Sequence, residues 1–511
     1  MANVIIFADN RNTRKLDNLG TDTKYSRPPR LVGSYRIATE TRRLGLTCQV
    51  VEMMTDFSID EIELVCKKYI LRDTLIVGFN TTFWQDSVFD LTSRIRKIID
   101  CTRDLNSKTK IIFGGPNGLD LVKNNNFDID AVILGYGEHA FIGYLNNLIK
   151  SKALPFPSRM FNKVKIYDFV EQSTFFNFCQ SQTIYDKSDH IMHDEVMVLE
   201  VGRGCIFKCK FCAYPLNGKK KLDYMKDPDI LKDELIRNYE EFGINKYILS
   251  DDTFNDSNEK LDRLHKVFTT LPFQLYFSGY CRLDLINAHK YQIELLPEMG
   301  MRGAFFGIES FHEKAARTIG KGLSGDTAKK LLYDLKASHW KDLVKVQIGL
   351  IVGLPHETIE SYQETENWIL NEDKCLVEKV ITSILALRNP KYINSPWVSE
   401  FEKNPEKYGF YWPIEQNRDL WFNDQSPIKN KIKAIKIDKT LSNAIKKAVR
   451  YNQGGFSMFS NYNRSHFFKN KKSFEDQIKM NRFEYNQWVS VEYQSSLFDY
   501  TNHYKTKILN S

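Results

Sequence analysis

Short apolar runs alternate with amphipathic stretches through the first 150 residues. Val4–Ala8, Thr47–Met53, Leu75–Phe79, Lys110–Phe113 and Ala131–Leu134 are each brief and rich in β-branched residues. Such runs suit strands buried on both faces. Between them, Leu31–Leu44, Ile59–Ile70 and Ser87–Leu105 carry apolar positions at helical spacing. Strands alternating with helices predict a doubly wound parallel sheet over residues 1–150. Ligands of such sheets sit beyond the carboxyl ends of the strands. Asn80–Trp84, Gly114–Gly118 and Gly135–His139 fall there.

Residues 151–195 lose the periodicity and read as a connector. A second strand–helix series follows. Its strands are Val196–Val201, Lys246–Leu249, Gln274–Ser278, Gly303–Gly307, Val344–Ile351 and Val380–Leu385. Its helices include Pro228–Phe242, Asn258–Thr269, Glu313–Ile319, Gly325–Ser338 and Thr358–Leu370. Six βα units are too few for a closed eight-fold barrel, so residues 196–390 predict a partial, open parallel barrel. Residues 391–511 turn aromatic, Asn-rich and Lys-rich, with Lys429–Lys447 as a basic helix. This mainly helical region reads as a cap or substrate region. The fold class is therefore α/β throughout the first two domains.

Composition narrows the class of protein. Of 511 residues, 42% are hydrophobic and 27% charged, which suits globular domains with substantial cores. The formal net charge is +8, a mild excess that permits an anionic substrate or nucleic acid without requiring one. No export signal opens the sequence, and the longest apolar run, Leu343–Leu354, is interrupted by Lys345 and Gln347. The expectation is a cytoplasmic protein with no membrane partner. In a reducing compartment, spaced cysteines point to metal or catalysis rather than disulfides.

Among nine cysteines, Cys205, Cys209 and Cys212 stand within eight residues, just after a predicted strand. Thiolates at this spacing on one loop suit an iron–sulfur cluster or zinc. A closed zinc site needs a fourth ligand, and the nearest histidines, His190 and His193, lie upstream across the strand. Three thiolates on a four-iron cubane leave one iron open to a ligand. The remaining cysteines are scattered and read as structural, with Cys281 worth testing because it adjoins Arg282.

The run Gly202-Arg-Gly-Cys205-Ile-Phe-Lys-Cys209-Lys-Phe211-Cys212 resembles the radical S-adenosylmethionine (SAM) superfamily, whose hallmark is Cys-x3-Cys-x-aromatic-Cys. The resemblance extends over residues 195–390. It implies a 4Fe-4S cluster on Cys205, Cys209 and Cys212, with Phe211 in the aromatic place. Ser250, Asp251 and Asp252 end the second strand, where the family contacts the SAM amino group. Gly279-Tyr-Cys-Arg282-Leu-Asp284 looks like the family's Arg-x-Asp, and Glu309-Ser310 like its ribose- and carboxylate-contacting segment. Gly353-Leu-Pro355-His-Glu-Thr resembles the motif near the adenine, with His356 in place of Gly. Charges at successive strand ends face the mouth of a parallel barrel, where such active sites gather.

The resemblance implies reductive cleavage of SAM into methionine and a 5′-deoxyadenosyl radical that abstracts hydrogen from a substrate. A one-electron donor such as flavodoxin or ferredoxin is implied as partner. A doubly wound domain ahead of such a barrel looks like the cobalamin-binding subgroup, and Ile112-Phe-Gly-Gly-Pro116 and Leu134-Gly-Tyr-Gly-Glu138 add to the likeness. Many of that subgroup transfer methyl groups. No Asp-x-His-x-x-Gly motif is present, so cobalamin would bind without that histidine on cobalt. The expected substrate is a small molecule or peptide. The alternatives are an RNA-modifying radical SAM enzyme and a metal- or cluster-binding interaction module. Weaker signals are His190-Ile-Met-His193, Lys219–Lys221 and the basic-aromatic run Phe467–Phe474. They read as a polar connector, a solvated charge run and part of the helical cap.

Overall fold

The computed structural model describes residues 2–9, 29–82, 84, 91–153, 157–169, 177–214, 224–393, 397–414, 418–450, 454–496 and 499–510. The first sheet holds β1 (Val4–Ala8), β2 (Cys48–Val51), β3 (Ile76–Asn80), β4 (Lys110–Gly114), β5 (Ala131–Gly135), β6 (Arg159–Phe161) and β7 (Val164–Phe169). Their order is β2-β1-β3-β4-β5-β7-β6. All neighbours are parallel except the β6–β7 hairpin. The strands β1 and β2 are buried along their whole length, as their continuous apolar runs require. The helix expected over Ser87–Leu105 runs Leu91–Leu105, with residues 85–90 outside the described residues.

The sheet continues past residue 150. β7 lies beside β5 within the stretch that aperiodicity marked as a connector. Val164-Lys-Ile begins an alternation that Tyr167 and Asp168 break, and six residues are too few to stand out from their Ser- and Asn-rich surroundings.

The second sheet holds β8 (Met197–Leu199), β9 (Lys246–Leu249), β10 (Tyr276–Cys281), β11 (Met301–Glu309), β12 (Lys345–Val352) and β13 (Lys379–Ile384). Six parallel strands run in the order β13-β12-β11-β10-β9-β8, each beside its sequence neighbour. This is the open, partial barrel that six βα units predict. Burial alternates along β11 and β13: Phe305, Gly307 and Glu309, and Lys379, Ile381 and Ser383, are partly exposed. Their neighbours Ala304, Phe306, Val380 and Thr382 are buried. Phe306 stacks on Trp340 beneath the outer helices, so the partly exposed set marks the concave, inner face.

The two sheets share one core. Val4 and Ile6 of the first, with Tyr35 and Tyr144 of its helices, belong to the same apolar cluster as Met197, Leu199, Tyr247 and Phe277 of the second. Buried ion pairs cross between them: Arg30 with Glu195 at 2.8 Å, and Arg203 with Glu138 at 2.5 Å.

Residues after 390 go to three places. Around Phe401 the chain lies beside the cysteine loop, with the Phe401 amide donating to the Lys210 carbonyl at 3.1 Å. The helix Gly455–Ser465 packs on the strands β9–β12 at their amino-terminal ends. A Cβ on Gly303 would stand 2.5 Å from the Gly455 Cα, so glycine on both sides permits the approach. The helix Asp499–Asn510 returns to the first sheet, where Tyr500, Tyr504 and Ile508 enter its second core. Among the described residues, no helix is long and apolar enough to cross a membrane.

Candidate active site at the barrel mouth

The cysteine loop leaves the carboxyl end of β8. Gly204 has φ +86°, and a Cβ on Gly202 would stand 2.9 Å from the Asp251 carboxylate. These glycines let the loop turn tightly against β9. Cys205 is buried, and its thiol reaches the Thr253 hydroxyl at 3.3 Å and the Phe207 amide at 3.4 Å. Burial pushes its thiol pKa up. Cys209 and Cys212 are half-exposed, and the Cys212 amide donates to the Cys209 carbonyl at 3.0 Å. Arg282 points one guanidinium nitrogen at Cys209 Sγ, 3.5 Å away, and lies over the Phe207 ring at 3.9 Å. Phe211 packs partly against the main core.

The three thiols share one loop at the mouth, beneath a fixed cation. Among the described residues, no three His, Cys, Asp or Glu side chains close round a single ion. A cubane differs from one ion, because it holds each thiolate on a separate iron. The donor set fits such a cluster: three thiols, two of them open to the mouth, and Arg282 beside one to offset thiolate charge.

Ser250 is exposed at the end of β9, its amide bonded to the Leu199 carbonyl at 3.0 Å. The two aspartates after it part company. Asp251 is buried and ion-paired with Lys260 at 2.9 Å. Lys260 also holds Asp256 at 3.2 Å. Asp252 is only partly buried as a residue, yet desolvation and the charge of Asp251 push its carboxyl up to about 7. Its charge acts on Tyr136, Tyr214 and Tyr280. Asp252 is thus the aspartate that faces the mouth, while Asp251 supports the loop.

Arg282 and Asp284 form a two-pronged pair at 3.0 and 2.5 Å. Burial raises the Asp284 pKa, but Arg282 and then Lys321 outweigh it and hold the carboxyl below its usual range. Glu309 ends β11 with φ +65° and lies 3.4 Å from Lys321. A Cβ on Gly307 would stand 2.4 Å from the Glu309 carboxylate, so glycine there lets this side chain fold over the strand end. Ser310 donates to Glu357. Gly353, at φ +100°, and Pro355 are both buried. The Trp421 ring would meet a Cβ on Gly353 at 2.8 Å. Cys281 belongs to the apolar core, and burial pushes its thiol up, so it is structural.

Sequence reasoning missed the role of Arg203. The side chain bonds Glu200 at 2.9 Å and Glu138 at 2.5 Å and lies over the Tyr136 ring at 4.5 Å. It therefore joins the cysteine loop to the end of β5. Its place in the Gly202-Arg-Gly lead-in was the only signal. Arg36 lies 3.4 Å from Glu200 in the same buried group. His190 and His193 line a surface cavity away from the mouth, together with His466 and His503. Lys219–Lys221 lie outside the described residues.

The ligand edge of the first sheet faces this site. Gly115 has φ +116°, and a Cβ there would meet the Thr82 amide at 3.0 Å. Asn80 accepts from the Thr82 amide at 3.1 Å and donates to Ser34 at 2.9 Å. Gly114-Gly115, Asn80, Thr82 and Gly135-Tyr136-Gly137 thus form a small-residue, polar rim that leads to Arg203.

Residues 199–369 match the model of the Radical SAM superfamily. The matched span takes in the cysteine loop and the second sheet from the end of β8 to β12. An uncharacterized methyltransferase of Pyrococcus horikoshii is 24% identical over 61% of this chain and 66% of its own length, just under two thirds. The radical SAM methyltransferase TsrM of Kitasatospora setae, solved with cobalamin and a 4Fe-4S cluster bound, superposes with a TM-score of 0.56. That match has 14% identity and covers 82% of each chain. The cobalamin-dependent SAM radical enzyme OxsB, solved with aqua-cobalamin and SAM, gives 0.53 at 14% identity, over 99% of this chain and 71% of that one. At such identities the likeness is one of fold: the first sheet, the partial barrel and the helical end share an architecture with these enzymes.

Proposed function

We propose that this protein is a cobalamin-dependent radical SAM methyltransferase that acts on a small molecule. One observation carries the reading. Arg203 spans from the cysteine loop to Glu138 and Tyr136, so the ligand edge of the first sheet opens onto the mouth of the barrel. A cofactor on that edge and a cluster on that loop would share one chamber. The Pyrococcus methyltransferase and the bound groups of TsrM and OxsB support the same reading.

Cys205, Cys209 and Cys212 would hold the cluster, which when bound supplies one electron to the sulfonium of SAM. Cobalamin would lie against Gly114-Gly115, Asn80 and Thr82 and supply a transferable methyl group. The rim suits a close approach because its glycines carry no side chain, and Gly115 holds a positive φ tightly against Thr82. The chain's own residues bind and orient. Asp252 accepts from the SAM ammonium at the end of β9. Glu309 and Ser310 meet ribose hydroxyls or the carboxylate at the end of β11. Arg282 places positive charge at Cys209 and is held rigid by Asp284. Phe401, anchored on Lys210, lies beside the cysteine loop and would help keep water from it. The electron comes from a small donor such as flavodoxin or ferredoxin docking near the half-exposed cysteines.

Anaerobic reconstitution should give a brown protein with about four irons per chain. Incubation with SAM, reductant and hydroxocobalamin should yield 5′-deoxyadenosine and S-adenosylhomocysteine. Neither product from fully reconstituted protein would refute the proposal. 5′-Deoxyadenosine alone would retain the radical class and reject methyl transfer.

A further inference from the structure

The barrel floor is one register layer. Tyr280 pairs with Phe305, Phe305 with Gln347, and Gln347 with Lys379, across β10, β11, β12 and β13. Side chains in register on neighbouring strands point to the same face. Here that is the concave face, where Phe305 and Lys379 are partly exposed and Tyr280 is 40% exposed. The helix Gly455–Ser465 closes the layer from below. Phe456 lies 4.6 Å from the Tyr280 ring and 5.9 Å from Phe305. The floor therefore offers three aromatic rings on one side.

The other side is charged. Lys379 donates to the Ser457 hydroxyl, and no carboxylate pairs with it among the described residues. Burial alone pulls its ammonium down to about 8, with no acid acting against that. The Gln347 side-chain oxygen beside it is buried without a partner. Most other buried lysines here are matched: Lys226 with Glu234, Lys260 with Asp251 and Lys336 with Glu378. A buried cation is costly unless paired. One on the concave face, with no carboxylate beside it among the described residues, is placed for a ligand's anion. Four residues separate Phe305 from Glu309, so the floor lies about 13 Å below the strand end. A compact molecule fits between.

We infer that the substrate is a small carboxylic acid with a flat apolar or aromatic body, its carboxylate on Lys379 and its body on Tyr280, Phe305 and Phe456. This rests on the proposed function for the reacting end, which points up toward the cysteine loop. Asp252 and Tyr214 act on Tyr280, so the aromatic side of the floor faces that loop.

The test is binding, measured by anaerobic calorimetry on the full chain with two isosteric probes, indole-3-propionate and indole-3-propionamide. The acid should bind at least tenfold more tightly than the amide. Lys379→Met should remove that preference, and Phe305→Leu should weaken both probes alike. An unchanged thermal midpoint and circular dichroism spectrum will show that each variant folds. Equal binding of acid and amide to the wild-type chain would overturn the inference, as would an undiminished preference in Lys379→Met. The 5′-deoxyadenosine assay on wild-type protein tests the radical reading separately. A subsite that binds the acid in a chain that forms no 5′-deoxyadenosine would sink that reading alone.

Discussion

Arg203 reaches Glu138 across the boundary between the two sheets, Nη2 to Oε1, at 2.5 Å. It stands two residues before Cys205, and both its partners are nearly sealed from water. The cysteine loop is therefore held by the first domain as well as by its own barrel.

Arg203→Met should leave Glu138 and Glu200 buried without their cation. Breaking a buried pair from one side costs about 3–5 kcal/mol. The thermal midpoint should drop by several degrees, and the two domains should become separately cleavable by protease. An unaltered midpoint would show that the bridge holds nothing together.

The two aspartates after β9 should separate by phenotype. Asp251→Asn weakens a buried bond to Lys260 and should cost about 2–3 kcal/mol of stability. Asp252→Asn should not lower the melting temperature at pH 7, since it removes a carboxyl held up at about 7, yet should weaken SAM binding by about tenfold or more. Equilibrium dialysis with SAM beside thermal denaturation checks both. The reverse pattern would reassign the mouth-facing acid.

Gly303→Ala drives a methyl group into the Gly455 backbone. Overpacking of this kind costs about 2–3 kcal/mol. Denaturant titration should show the loss. Gly303→Ala should also expose the helix Gly455–Ser465 to amide hydrogen exchange ahead of the rest of the barrel.

Glu52 gives a pH dependence. Burial drives its carboxyl up to about 8, although the Leu31 amide and Arg30 both act to lower it. The folded pKa lies above the ordinary 4.5, so Glu52 contributes stability below about 4.5 and loses it as pH rises through 8. Glu52→Gln keeps an acceptor for the Leu31 amide, 2.9 Å away, and needs no proton. It should match wild type at pH 4.5 and exceed it at pH 7 by on the order of 2 to 3 kcal/mol. Denaturant midpoints across that range decide it, and equal midpoints at pH 9 would contradict the assignment.

The sequence alone determined the two parallel sheets and the cysteine loop between them. Continuous β-branched runs and helical spacing are local signals, and a parallel strand buried on both faces displays them in full. Cys205, Cys209 and Cys212 stand within eight residues, so placing them on one loop needed no long-range information. The hairpin β6–β7 was hidden because its alternation is too short to register. Only the tertiary structure decided the rest. Asp251 and Asp252 are indistinguishable as letters, and packing against Lys260 separates them. Arg203 meets Glu138 over 65 residues of chain, and Tyr280, Phe305, Gln347 and Lys379 form one layer only through strand register. The segment after residue 390, which composition treats as one region, is divided among the barrel mouth, the barrel floor and the first sheet. Such contacts depend on which surfaces remain uncovered once the sheets have formed, and no local pattern of residues encodes that.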